Sequence, residues 1–241
     1  LETAPPGNAS TFERIRDYLD QGADVSVRKG SKCLSALNHA VDKNLDKCLE
    51  ILLKDWQVGR ALPRDQKGRS TLLHLCANLE DCDWNRLPYD PSVGGSSTPR
   101  EDEPGGARYE MAVMLLEADP MSVNAADGKG WTPLMTAAEW GSLPFTTLLL
   151  EHGADVTARD KDGLTALHWA AQASDYPTAP DIVKVLLEVE ECDPLARANA
   201  GKGGRGKNEG PTPEELATRY GTPATVAALR KLPYEGLERT E

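Results

Sequence analysis

The sequence predicts an all-α fold, a solenoid of stacked helix pairs, and two observations support that prediction. Segment 127–159 reads DGKGWTPLMTAAEWGSLPFTTLLLEHGADVTAR, where glycines bound two short helical patterns, each with one apolar face. The next segment starts in the same way, because Gly130 and Gly163 stand 33 residues apart, as do Thr132 and Thr165. A pair of short helices cannot bury its apolar face alone, so each pair requires a neighbour of the same kind.

Each helix of segment 127–159 has its own start and stop signals. Thr132 is placed as the N-cap of the first helix, and Pro133 follows at the first helical position, where its missing N–H costs nothing. Gly141 ends that helix and Pro144 begins the second. The predicted buried face of the second helix consists of Phe145, Leu148 and Leu149.

The repeated heptapeptides identify a family. TPLMTAA at 132–138 and TALHWAA at 165–171, together with the 33-residue period, resemble the ankyrin-repeat family. The resemblance implies an ankyrin-repeat solenoid of four full repeats, with an N-terminal half repeat and a C-terminal cap. We therefore expect a loose lead-in at 1–9, an ankyrin-repeat domain at 10–232 and a tail at 233–241.

The first part of the chain fits this pattern with mild departures. The sequence QGADV at 21–25 repeats HGADV at 152–156, so the chain is expected to start with the second half of a repeat. The first full repeat covers about 29–60. There Asn38 stands at the histidine position of the motif and Asn44 at the glycine position, where asparagine tolerates a left-handed backbone.

The second repeat carries a long insertion. Aligning Thr71 with Thr132 places His74 at the histidine position and leaves 28 extra residues in this repeat, nearly all at about 80–107. The stretch is rich in proline, glycine and serine and contains an acidic EDE run, so we expect a flexible acidic excursion. Tyr109 should lie at the start of the following helix.

The fourth repeat and the end of the chain carry two shorter insertions. Four extra residues are expected at 175–180 between the helices of the fourth repeat, and ten more in the glycine-rich loop at about 198–210. Thr212 then starts a closing helix pair. Glu214 and Glu215 stand where the motif has leucine and histidine, and polar residues of this kind suit the outer face of a capping repeat.

Composition narrows the classes of partner and compartment. A net charge of −11 disfavours nucleic-acid backbones and anionic membranes and favours a basic protein partner. The five cysteines form no C-x-x-C pair, which indicates reduced thiols and a cytoplasmic or nuclear protein. Neither a signal peptide nor an apolar run long enough for a membrane span is visible, and a monomer is expected.

Residues that could carry chemistry have structural explanations. His74 and His168 are both assigned to the histidine position, where the family resemblance implies a bond to neighbouring backbone. Residues 201–207 match G-x-x-x-x-G-K, but Asn208 replaces the magnesium-binding Ser or Thr and no apolar strand precedes the match. His74 and Cys76 lack a second pair at metal-ligand spacing. We therefore predict a protein that is not an enzyme and holds no cofactor or metal.

The remaining feature is a surface. The resemblance implies a concave groove lined by the turn residues and by the outer ends of the first helices. The predicted partner-binding residues are Lys129, Trp131, Glu139, Trp140, Lys161, Asp162, Leu164 and Gln172, with Gln66, Lys67, Arg69 and Ala173 at related positions. Trp131 and Trp140 are expected to be exposed on one face, as aromatic anchors for a partner. Trp169 is expected to lie between repeats.

The function predicted from these features is protein–protein interaction, as an adaptor or an assembly chaperone. Two alternatives remain open. The chain could be a regulatory fragment of a larger protein whose groove binds its own other domains, or a nucleotide-binding protein that uses the Gly201 to Lys207 loop.

Overall fold

A computed structural model describes residues 35–54, 61–65, 67–77, 106–199 and 210–230. Within these ranges the regular structure is helical, apart from an isolated antiparallel bridge between Arg64 and Ser70. The helices are α1 Ala36–Asp42, α2 Asp46–Lys54, α3 Thr71–Ala77, α4 Ala107–Ala118, α5 Pro133–Glu139, α6 Leu143–Glu151, α7 Ala166–Gln172, α8 Ala179–Leu187, α9 Pro213–Tyr220 and α10 Pro223–Arg230, with a 3-10 helix at Pro120–Asn124.

The ten helices form five pairs arranged as two rows. The first helices of the pairs, α1, α3, α5, α7 and α9, pack each on the next in one row, and the second helices form the other row. Between α4 and α6 the rings of Tyr109 and Phe145 meet edge to face, with centroids 6.2 Å apart. The described residues thus confirm the predicted all-α stack of helix pairs.

Small side chains allow the first-helix row to pack closely. Ala137 and Ala138 on α5 and Ala170 and Ala171 on α7 have no solvent exposure. Larger apolar groups fill the space behind this row, and Phe145 is completely buried. The lean composition of the chain is therefore consistent with a thin core that is shared between successive pairs.

Hydroxyl side chains cap several of the helices. Thr132 accepts a hydrogen bond from the amide of Met135, as its place before Pro133 predicts. Ser142 caps α6 and Thr212 caps α9 in the same way. Asn44 has a φ of 52°, close to the 66° of Gly141 at the equivalent position, so the predicted left-handed asparagine is confirmed.

The register assigned to the second repeat is wrong by one residue. Ser70, not Thr71, caps α3, because its Oγ accepts the amide of Leu73 at 3.2 Å. Gly68 has a φ of 79° and matches Gly130, so the offset between these repeats is 62 residues and the second repeat carries 29 extra residues. His74 therefore lies one position past the histidine position of the motif, which Leu73 occupies.

Other expectations fall outside the described residues. They are the lead-in, the N-terminal half repeat, the body of the insertion at 80–107, the loop at 201–207 and the tail at 233–241. In the described ranges no helix is both long enough and apolar enough to cross a membrane.

Candidate functional site

Three turns of one design precede the first helices of successive repeats. We call them the finger turns, and they are 65–69, 127–131 and 160–164. In each, the carboxylate of the opening aspartate accepts two backbone amides, which fixes the turn from within. The bonds run from Lys67 N and Arg69 N to Asp65 Oδ1 (2.9 and 2.9 Å), from Lys129 N and Trp131 N to Asp127 Oδ1 (2.7 and 3.0 Å), and from Asp162 N and Leu164 N to Asp160 Oδ1 (2.9 and 2.9 Å).

Backbone hydrogen bonds join each finger turn to the next. Gly128 N donates to Lys67 O at 3.2 Å, and Lys161 N donates to Lys129 O at 3.0 Å. The same pattern continues beyond the third turn, where Asn199 N donates to Asp162 O at 2.8 Å. The finger turns are therefore a connected series with a fixed spacing.

Trp131 is partly buried, which corrects the expectation of an exposed tryptophan. Its ring stacks on that of Trp169 in the next repeat, with centroids 4.4 Å apart and planes tilted by 51°. The indole Nε1 of Trp169 donates to Asp160 Oδ2 at 3.2 Å. Trp169 thus lies between repeats, as predicted, and it holds Trp131 in place beside the second and third finger turns.

Trp140 is also partly buried, and a short insertion accounts for it. The ring of Tyr176 meets that of Trp140 edge to face, with centroids 6.5 Å apart. Tyr176 lies so close to Gly141 that a Cβ on this glycine would clash with the Cβ of Tyr176. Thr178 Oγ1 donates to the carbonyl of Gly141. The insertion at 175–180 therefore covers Trp140, which the repeat pattern alone did not indicate.

The other predicted residues keep different degrees of exposure. Lys129, Lys161 and Asp162 are exposed, whereas Leu164 is partly buried in the third finger turn. Glu139 and Gln172 are partly buried at equivalent positions, the last residues of α5 and α7. The side-chain Nε2 of Gln172 donates to His168 O at 3.3 Å. Five of the eight predicted residues thus belong to two adjoining finger turns, and the other three lie at the ends of α5 and α7.

A family model describing ankyrin repeats, three copies, matches residues 105–198. These residues are ankyrin repeats. The ankyrin repeat and SAM domain-containing protein 6 of Rattus norvegicus is 38% identical over 94 residues, which are 39% of this chain and 10% of that protein. The phosphocholine transferase AnkX of Legionella pneumophila is 36% identical over 77 residues, 32% of this chain and 8% of AnkX. This chain therefore spans a tenth or less of the length of these relatives.

The fold comparison covers more of the chain. The crystal structure of EF0377, an ankyrin repeat protein, superposes with a TM-score of 0.68 and covers 92% of each chain at 20% sequence identity. At that identity the likeness shows the fold alone. The match confirms the ankyrin-repeat solenoid that the 33-residue spacing predicts.

His168 has a structural role in the fourth ankyrin repeat. Its Nδ1 accepts the amide of Thr165 at 3.1 Å, so Nε2 carries the proton and donates to Pro211 O at 3.3 Å. Burial lowers the pKa of this imidazole to about 4. The ring is therefore neutral and engaged on both sides at physiological pH, which leaves no nitrogen for acid–base chemistry.

Two cysteine thiols, like His168, are held in their uncharged form by burial. Burial raises the pKa of the Cys192 thiol to about 11, and it raises the pKa of Cys76 still further. Both side chains stay protonated and contribute as small apolar groups. In the part of the chain that the structure describes, no three His, Cys, Asp or Glu side chains are grouped to hold a metal ion.

Proposed function

We propose that this protein is a non-catalytic interaction module that binds a partner protein, as an adaptor or an assembly chaperone. Ankyrin repeats in general mediate protein–protein interaction. The proposed contact surface consists of the three finger turns and the ends of α5 and α7, and we call it the finger face. It corresponds to the concave groove that the family resemblance implies.

The observation that carries the proposal is the construction of the finger turns. Their backbone is fixed by internal aspartates and by the hydrogen bonds that join one turn to the next. Side chains at their tips, such as Lys129, Lys161 and Asp162, nevertheless remain exposed. A rigid frame that presents exposed side chains loses little conformational entropy when a partner docks.

The tryptophans contribute to this surface in different ways. Trp131 stacks on Trp169 beside the finger turns, and its partial exposure leaves indole surface for a partner to cover. Trp140 lies against Tyr176, so truncating it would disturb the insertion at 175–180 as well as any contact. Trp131 is therefore the better residue for a functional test.

Photo-crosslinking in a cell extract tests the proposal. The photoreactive residue p-benzoylphenylalanine replaces either Asp162 on the finger face or Glu188 after α8, both of which are exposed. The two positions lose the same charge, so they form a matched pair. We expect a protein adduct from position 162 that disappears in a Trp131→Ala background, and none of that mass from position 188.

The opposite pattern would overturn the proposal. An adduct formed equally from both positions, or one from position 162 that persists in the Trp131→Ala background, would show that the finger face is not the binding surface. Circular dichroism melts of each variant establish that the stack is folded before the adducts are compared.

A further inference from the structure

Charge is distributed unevenly between the finger face and the opposite side of the stack. The second helices and the turns after them, at 46–54, 107–124, 143–157, 179–195 and 223–230, hold twelve Asp and Glu against five Lys and Arg. The segments 64–69, 126–131 and 159–164, which contain the finger turns, hold six Lys and Arg against four Asp. With Glu139 at the end of α5 included, the finger face and its flanking arginines are close to neutral, so the acidity of the chain is concentrated on the opposite side.

Most of the acidic groups at the finger turns are already engaged. Asp65, Asp127 and Asp160 each accept two backbone amides within their own turn. Asp65 is also paired with Arg69, at 2.7 Å. Of the four aspartates in these turns, Asp65 and Asp160 are buried, Asp127 is half-buried and Asp162 is exposed.

Three lysines lie on these adjoining turns. Lys67 and Lys129 occupy equivalent positions, directly before the turn glycine, whereas in the third turn Asp162 holds that position and Lys161 precedes it. Lys67, Lys129 and Lys161 are exposed, and within the described ranges their ammonium groups form no ion pair. The backbone bonds of Gly128 to Lys67 and of Lys161 to Lys129 place them on adjoining turns. They form a row of unpaired cations, which we call the lysine row, on a rigid frame.

The tryptophan stack lies beside the lysine row. Trp131 follows Lys129 by two residues in the same turn and stacks on Trp169, whose Nε1 is bonded to Asp160. An indole pair of this kind offers an apolar surface of defined orientation. The finger face therefore combines cations in a row with one apolar platform.

We propose that the partner bound at the finger face is an extended acidic protein segment that carries apolar side chains between its Asp and Glu residues. Its carboxylates contact the lysine row, and an apolar side chain rests on the stack of Trp131 and Trp169. This inference rests on the proposed function, and it replaces the basic partner that the net charge favours. A basic segment would meet like charge at Lys67, Lys129 and Lys161.

Nucleic acid is a less suitable polyanion for this face. A phosphate backbone carries dense charge on every side, and the twelve carboxylates of the opposite side would repel its flanks. A short peptide segment places its charge locally and supplies the apolar group that the tryptophan stack requires.

Selection from a library of random peptides displayed on phage tests the inference. The peptides are about a dozen residues long, enough to extend across neighbouring turns at ~3.3 Å per residue. The full chain is the bait, and the selected peptides are then synthesised with a fluorescent label for anisotropy titration. We expect selected sequences with a net negative charge and apolar residues between the acids.

Two triple variants separate local from overall charge. Lys67→Glu, Lys129→Glu, Lys161→Glu reverses the lysine row, and Lys47→Glu, Lys54→Glu, Lys184→Glu makes the same change in net charge on the second helices. We expect the first to weaken binding of the acidic peptide by about tenfold or more and the second by less than about twofold. The exposed ion pairs of Lys54 with Glu50 and of Lys184 with Asp181 contribute little to folding.

Other results of these experiments would separate failure of the acidic partner from failure of the proposed function. Selected peptides that are neutral or basic, yet lose affinity in Trp131→Ala, would overturn the acidic partner and leave the proposed function intact. Binding that depends on neither Trp131 nor the lysine row would overturn both. A labelled oligothymidylate that binds the full chain and is released by reversal of the lysine row would mark a nucleic-acid site and overturn the inference.

Discussion

The fourth and first repeats differ in how completely the side chain at one equivalent helix position is hydrogen-bonded. His168 on α7 and Asn38 on α1 each stand three residues after the capping residue, and both are completely buried. The imidazole reaches its own cap through Nδ1 and the next repeat through Nε2. Asn38 Oδ1 accepts from Ser35, but its Nδ2 has no partner among the residues that the structure describes. A side chain here needs enough length to join two repeats.

In the closing helix pair, the residue at this position makes one of the two bonds that His168 makes. Glu215 on α9 occupies the same position, and its carboxylate accepts the amide of Thr212 at 3.1 Å. This bond serves the cap of its own helix, as in a capping box. Met135 and Leu73 fill the position in the third and second repeats with apolar groups that cannot form either bond. The fourth repeat is therefore the best place to measure what the bridging bond contributes.

The largest effect is expected from removing the bridge in the fourth repeat. His168→Ala leaves the Thr165 amide and the Pro211 carbonyl without their partners and creates a cavity, at a cost of about 3 kcal/mol in the free energy of unfolding. Urea denaturation at neutral pH measures the loss. His152→Ala, at an exposed histidine, is the matched control and should change stability by less than about 0.5 kcal/mol. Equal effects of the two substitutions would refute the bridging role.

Acid titration should isolate the same histidine. Its folded pKa of about 4 lies below the ordinary value of 6.5, so between these pH values the unfolded chain binds a proton that the folded chain does not. Stability from this group is complete above pH 6.5 and falls as the pH is lowered, by about 2 kcal/mol at pH 5.

The control for this titration is His168→Gln, measured by denaturation from pH 7.5 to pH 4.5. The carboxylates titrate in both proteins, so the difference between the two stability curves reports His168 alone. Curves that stay parallel through this range would contradict the buried, neutral imidazole.

The smallest effect is expected from completing the first repeat. Asn38→His supplies the longer side chain and should raise the free energy of unfolding by about 1 kcal/mol, because a buried donor without a partner is replaced by one that reaches the next repeat. Differential scanning calorimetry should show a higher melting temperature. Asn38→Leu removes the unpaired amide without forming a bond, so a gain no greater than that of the leucine variant would exclude the bridge.

Sequence reasoning identified the fold because its signals are local and periodic. The spacing of Gly130 and Gly163, and the caps at Thr132 and Thr212, follow from backbone requirements that each repeat meets within itself. The one-residue error at Thr71 arose because Ser70 and Thr71 are both competent caps. The turn glycine identifies the register more reliably, because Gly68 has the same left-handed conformation as Gly130 and can be aligned with it directly.

The surface was harder to predict, because burial there depends on contacts between repeats. The exposure of Trp131 is set by Trp169 in the following repeat, and that of Trp140 by Tyr176 in an insertion that breaks the period. The charge of the finger face was also hidden in the sequence total. The total does not show that Asp65 and Asp160 are buried in their turns while Lys67, Lys129 and Lys161 are exposed.

The hydrogen bonds between finger turns also affect the hydrogen exchange of three backbone amides. The amides of Gly128, Lys161 and Asn199 lie in surface turns, where hydrogen exchange with water is normally fast. Each is instead held by a carbonyl of the preceding repeat. We expect their protons to exchange when neighbouring repeats separate rather than when a single turn frays. These three amides are therefore local reporters, one for each of the last three junctions, of the order in which the repeats come apart.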